Sequence, residues 1–287
     1  MLLNTKYNYY LCIQIDKNMK LVRPKKNLGQ HFLTDLNIAQ SIADTVDNYP
    51  NIPILEIGPG MGVLTQFLLT KKRKFKAVEI DKESVNYLLE KFPPLTSNLI
   101  SADFLTMNLR NIFNGDQFVL TGNYPYDISS QIFFKMLENK DLIPCCTGMI
   151  QREVAERISA SPCKKSYGIL SVLIQAWYNV EYLFTVNENV FNPPPKVKSA
   201  VIRITRNDVK TLGCDELLFK RVVKTVFNQR RKMLRVSLKQ LFGTTAPQKF
   251  YQQEIMTKRP EQLSVSQFVE LTNMVKNQLE VIQNDTV

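Results

Sequence analysis

The chain has 287 residues, 44% hydrophobic and 22% charged, with 10 Gly and 14 Pro, a globular composition that excludes collagen-like, low-complexity and disordered classes. Lys and Arg outnumber Asp and Glu by 37 to 26, and the net charge of +11 points to a polyanionic partner. Five cysteines without CxxC spacing, and one histidine, argue against a metal site or disulfide framework and for a reducing compartment. No apolar run approaches the roughly 18 residues of a membrane span.

The first eighteen residues have no basic cluster ahead of an apolar stretch and no small-residue cleavage site, so they do not read as a signal peptide, and Met19 is a candidate start. Residues 1–27 are read as an N-terminal extension and basic arm. Asp35 is the expected N-cap of a helix whose Ile38, Ile42 and Val46 share a face. From Pro53 a β/α alternation sets in. PILEI, FKAVEI, LISAD, QFVLT and TGMIQ read as strands, with GVLTQFLL and KESVNYLLEKF as helices, and the pattern predicts a parallel, doubly wound sheet. KSAVIRITR (198–206) is a late strand. The segment after it is helical, with Leu218, Val222, Val223 and Val226 at helical spacing. The expected division is an α/β domain over 28–206 and a small all-α domain over 207–287.

Gly58-Pro59-Gly60-Met61-Gly62 falls where the first strand gives way to the first helix, the place where α/β sheets bind ligands. The spacing is not the G-x-G-x-x-G of dinucleotide folds, and Pro59 removes an N–H that a pyrophosphate would use, which favours a nucleoside without phosphates. A plain β-to-α turn is the competing reading. Glu79 closes the second strand, 21 residues after Gly58, where a carboxylate can accept both ribose hydroxyls. Asp103 follows the third strand and can accept from an adenine amine. As an ordered series, Gly58, Glu79 and Asp103 describe S-adenosylmethionine better than NAD.

After the fourth strand comes Asn123-Tyr124-Pro125-Tyr126. The Asn123 side-chain oxygen and the Pro125 carbonyl can accept the two hydrogens of an exocyclic base amine while Tyr126 stacks on a flipped base. Acceptors that favour a pyramidal nitrogen localise its lone pair toward a sulfonium methyl, so transfer needs no acid or base. A Pro turn with core tyrosines is the alternative.

LGQHFL (28–33), EIGPGMG (56–62), GNYPYDISS (122–130), FNPPPKVKSAV (191–201) and FNQRRKML (227–234) together resemble the ribosomal RNA adenine dimethyltransferases of the KsgA type, in order over most of the chain. Tyr124 and Asp127 stand where that family commonly has Leu and Asn, and His31 where some members have Asn. The resemblance implies a Rossmann-like, S-adenosylmethionine-dependent catalytic sheet. It also implies transfer of two methyl groups to the exocyclic N6 of each of two adjacent adenosines, in the 3′-terminal hairpin loop of 16S rRNA. The partner is then small-subunit rRNA within a pre-30S particle, and the setting cytoplasmic small-subunit biogenesis. By motif match, His31, Leu33, Gly58, Gly60, Glu79, Asp103 and Asn123 form the cofactor set. Asn123, Pro125, Tyr126 and Phe191 form the chemical site, with Phe191 packed on the target adenine opposite Tyr126. Taken without the family, a Phe ahead of a Pro-rich loop reads as a core plug.

No Asp or Glu occurs from Leu217 to Gln253, a window that holds nine of the basic residues. Within it Lys224, Arg230, Arg231, Lys232 and Arg235 are the expected phosphate contacts; a solvated helix face is the alternative. Gln151-Arg152-Glu153 is open between RNA contact and a helix start. Competing functions are a large-subunit rRNA adenine methyltransferase of the macrolide-resistance type and a non-catalytic RNA-binding assembly factor. A DNA adenine methyltransferase fits less well, because its tetrad normally carries two prolines. Nothing in the sequence demands a dimer, and a monomer is expected.

Overall fold

The computed structural model describes residues 22–242 and 248–284; the sequence readings on residues 1–21, including the candidate start at Met19, lie outside these. The arm enters through strand β1 (Phe32–Leu33) and helix α1 (Leu36–Asp44). Asp35 caps α1 as expected, its carboxylate accepting the N–H groups of Asn37 and Ile38 at 2.9 and 3.2 Å. Then follow β2 (Ile54–Ile57), α2 (Thr65–Leu69), β3 (Phe75–Glu79), α3 (Lys82–Lys91), β4 (Leu99–Ser101), β5 (Val119–Asn123), α4 (Ser129–Glu138) and β6 (Cys145–Gln151). Next come α5 (Arg152–Ile158), α6 (Ile169–Gln175), β7 (Tyr178–Val186), β8 (Phe191–Asn192) and β9 (Ser199–Arg206). Among the described residues only helical elements follow: α7 (Glu216–Asn228), α8 (Leu234–Ser237), α9 (Lys239–Phe242), α10 (Gln248–Tyr251), two short 3-10 turns and α11 (Val265–Asn284).

One sheet has the order β4-β3-β2-β5-β6-β9-β7, and β1 pairs with β8 in a separate ribbon. Strands β2 to β6 run parallel as predicted. The wholly parallel expectation fails at one edge, where β9 runs antiparallel between β6 and β7. Strand β7, which the sequence reading does not include, alternates in burial along its first half instead of forming a continuous apolar run, the pattern of an edge strand with a wet face. The helix expected from Gly62 begins only at Thr65. Gly62 has φ +77°, and a Cβ there would lie 2.3 Å from the Phe92 ring, so the chain turns before it winds.

Both faces of the sheet are covered, which is why its central strands read as apolar runs. Ile54, Ala77, Val119, Cys145 and Val201 pack toward Ile42, Leu68 and Leu88 on one side. Leu55, Val78, Leu120, Cys146 and Ile202 pack toward Ile132, Phe133 and Ile174 on the other. That second core continues into Val223, Val226, Phe268 and Leu271 of α7 and α11, so the C-terminal helices are anchored through shared apolar contact.

Candidate active site

A pocket opens at the carboxyl ends of β2, β3 and β5, with the arm from Leu28 to Leu33 as its wall. It brings together His31, Leu33, Gly58, Gly60, Glu79, Asp103, Asn123, Pro125 and Tyr126. Gly60 has φ +55°, and a Cβ there would lie 2.9 Å from Phe32, so only glycine lets the arm close onto the turn.

Glu79 is 3% exposed. Its Oε2 accepts the Gly60 N–H at 3.1 Å and its Oε1 the Asp81 N–H at 2.9 Å. Burial pushes its pKa up, and these N–H groups pull it back. A carboxylate has about four lone-pair sites, so these bonds leave Glu79 with acceptor capacity toward the pocket. Asp103 spends Oδ1 on the Leu105 N–H at 2.9 Å, which leaves Oδ2 as an acceptor.

The Asn123 amide has a defined orientation. Its Nδ2 donates to the His31 carbonyl at 3.1 Å, which leaves Oδ1 as the acceptor that amine recognition requires. Among the described residues the Pro125 carbonyl accepts the Ile128 N–H alone, at 3.3 Å, and keeps a lone pair. Tyr126 shares a hydrogen bond with Ser199 through its hydroxyl; burial raises its pKa, so it is a phenol. The His31 ring lies along Tyr126 with centroids 5.4 Å apart, its Nδ1 2.8 Å from the Pro193 carbonyl.

Tyr124, at the position where the resembling family commonly has Leu, is fully buried. Its hydroxyl donates to the Thr147 carbonyl at 2.9 Å and its N–H to the Met149 carbonyl at 2.9 Å, so the tetrad is pinned twice to β6. Asp127 is exposed and lies against Gly29 of the arm.

Phe191 is not brought to the pocket. It is 4% exposed and pairs with Leu33 in the β1–β8 ribbon, so in this structure it is the core plug. The basic window is also divided. Arg230 is held by Glu261 at 2.6 Å and by the Lys164 carbonyl at 3.2 Å, so it is a tie between helical segments rather than a free phosphate contact. Arg231, Lys232 and Arg235 are exposed, and Lys224 lies over the Phe134 ring. Arg152 and Glu153 form i,i+4 pairs with Glu156 and Arg157.

Three residues of the site are not singled out by the sequence. Glu56 is 1% exposed and accepts the Thr65 hydroxyl at 2.7 Å. Burial, with the nearby Glu79 charge adding to it, pushes its pKa to about 8 against that hydrogen bond, so at neutral pH it is largely a neutral acid. An acid inside an apolar strand was the available signal. Lys135 of α4 donates to the Leu105 and Met107 carbonyls at 2.7 and 2.6 Å, clamping the loop that carries Asp103. Lys25 pairs with Asp81 and lies 3.4 Å from Glu83, tying the arm to the end of β3. Nothing in the sequence spacing of these two marks the contacts.

A glycine turn that a Cβ would block, a buried carboxylate with unused lone pairs and a carboxylate one strand further on fit an adenosine-bearing sulfonium without phosphates. Fold and site together define an S-adenosylmethionine-dependent methyltransferase. The family model described as Ribosomal RNA adenine dimethylase matches residues 22–277, and the chain belongs to that family. It is 69% identical over 261 residues to the Ribosomal RNA small subunit methyltransferase A of Bacteroides thetaiotaomicron, covering 91% of this chain and 97% of that one. Among solved structures, a dimethyladenosine transferase from Plasmodium falciparum superposes with a TM-score of 0.72 at 22% identity, covering 86% of this chain and 98% of that one. The 23S rRNA methyltransferase ErmE gives 0.61 at 25% identity, covering 85% and 99%.

Proposed function

We propose that the chain dimethylates the exocyclic N6 of two adjacent adenosines in the 3′-terminal hairpin loop of 16S rRNA, within the pre-30S particle. Bound in the pocket, S-adenosylmethionine supplies an electrophilic methyl group on a sulfonium. Gly58 and Gly60 admit it close to the backbone, Glu79 accepts from its ribose and Asp103 from its adenine amine, with the arm from His31 to Leu33 as the covering wall. Asn123 Oδ1 and the Pro125 carbonyl take the two hydrogens of the target amine, and Tyr126 carries the base on its ring. After one methylation a single N–H remains, and either acceptor still serves it. Neither acceptor acts as a general base; they hold the nitrogen lone pair out of conjugation with the ring, the N–C bond forms as the sulfonium S–C bond breaks to leave the thioether, and the proton that methylation makes acidic on the nitrogen is lost to water.

The observation that carries this reading is the Asn123 amide, whose donor is spent on the His31 carbonyl so that its oxygen is the group on offer. Residues 28–206 act as the catalytic domain and 207–287 as the RNA-binding one, with Lys224, Arg231, Lys232 and Arg235 as phosphate contacts and residues 1–27 as an extension and arm. The enzyme works as a cytoplasmic monomer. Transfer of labelled methyl to undermethylated small subunits, with large subunits and naked rRNA in parallel, tests the assignment. Dimethyladenosine from small subunits alone is expected. Product from large-subunit RNA selects a resistance-type enzyme, and RNA binding without transfer selects a non-catalytic assembly factor.

A further inference from the structure

We infer that the His31 ring is a stand-in for the target base: it covers the face of Tyr126 in the free enzyme and swings aside when the adenosine enters. The inference rests on the proposal that Tyr126 carries the base. Three observations support it. The two rings are stacked, 5.4 Å between centroids and 28° between planes, and both line the pocket. The imidazole is tethered there. Its Nδ1 is 2.8 Å from the Pro193 carbonyl, which has no hydrogen to give, so Nδ1 carries the proton and donates.

The third observation is that everything except this ring is fixed. The Tyr126 hydroxyl is bound to Ser199, so the tyrosine stays where it is and an incoming base must meet it there. The His31 backbone is held by the Asn123 amide on its carbonyl and by the pairing of Phe32 and Leu33 with Asn192 and Phe191. Rotation about the His31 side-chain torsions therefore vacates the Tyr126 face without moving Asn123 or the arm. It costs one stack and one hydrogen bond, and it frees the Pro193 carbonyl as the base arrives. A planar π ring is suited to the task because it shields the tyrosine face as a purine would, yet it is smaller and bound by a single hydrogen bond.

His31 is the only histidine in the sequence, which gives a direct signature. In protein free of any histidine tag, the ring-proton resonances of His31 are expected upfield of random-coil positions because of the Tyr126 ring current, and Tyr126→Ala should return them. Resonances that do not respond to Tyr126→Ala overturn the stack. In steady-state assays on undermethylated small subunits, His31→Ala should lower KM for the subunit about threefold to tenfold, since no ring has to be displaced. His31→Phe, which keeps a ring but not the tether, should fall between alanine and wild type. A KM that rises or stays constant in His31→Ala overturns the stand-in and makes the ring a permanent clamp. The reading beneath it fails separately, by near-normal turnover of Tyr126→Ala.

Discussion

At the strand ends Glu56 and Glu79 are sealed from solvent, and each meets a hydrogen-bond donor within 3.1 Å. Along α7, α8 and the turn between them, Arg221, Arg231, Lys232 and Arg235 stand in water. The two regions use charge in opposite ways. A buried carboxylate is costly unless its partners are built in, so its neighbours are fixed and its pKa is displaced. An exposed cation costs almost nothing and acts through long-range attraction that salt weakens. Removing one atom should therefore be felt strongly in the pocket and weakly on the helices.

The largest expected effect is at Asn123. Replacement by alanine removes an acceptor aimed at the reacting amine and should lower kcat about a hundredfold or more. RNA affinity should stay near wild type in a filter-binding assay, and near-normal turnover would break the amine-positioning argument.

Glu56 comes next. Between pH 4.5 and about 8 the unfolded chain holds this carboxylate ionised while the folded chain keeps its proton. The folded state then binds more protons, so stability falls as pH rises across that window. Glu56→Gln should flatten this fall, by several kcal/mol at its upper end, in urea denaturation at several pH values. A slope unchanged in the variant would show that Glu56 ionises normally.

Glu79→Ala should weaken binding of S-adenosylmethionine by about 1–3 kcal/mol in calorimetry. Unchanged affinity counts against the ribose role. Lys135→Met, acting through the Asp103 loop, should raise KM for the cofactor about threefold while KM for the subunit holds, and Lys135→Arg should recover part of the loss.

The smallest effects per residue belong to the basic helices. Charge reversal at Arg231 and Arg235 should flatten the salt dependence of subunit binding by about 2 in log–log slope. Reversal of Arg230 should instead lower thermal stability by about 1 kcal/mol, through Glu261, and leave that slope alone. If Arg230 and Arg231 behave alike, the distinction drawn from the Glu261 pair is wrong.

Legibility followed the same divide. Gly58, Glu79, Asp103 and Asn123 could be placed from spacing because each ends a strand or closely follows one in a regular alternation, and that alternation is dictated by local periodicity. Glu56 and Lys135 could not be assigned in the same way. Glu56 is defined by how completely α2 and the sheet enclose it, and Lys135 by carbonyls some thirty residues upstream. Phe191 illustrates the converse. Its motif pointed to the base, whereas pairing of β8 with β1 turned its ring into the core.

Taken alone, the sequence determined the β/α order, the cofactor turn, the Asn-Tyr-Pro-Tyr tetrad and the basic character of the C-terminal helices. These depend on residue type, on short spacings and on periods of two and 3.6. The tertiary structure decided the antiparallel insertion of β9, the neutral state of Glu56, the orientation of the Asn123 amide and which cations are free. Each of these is set by a partner distant along the chain, and hydrogen bonding and burial act through space.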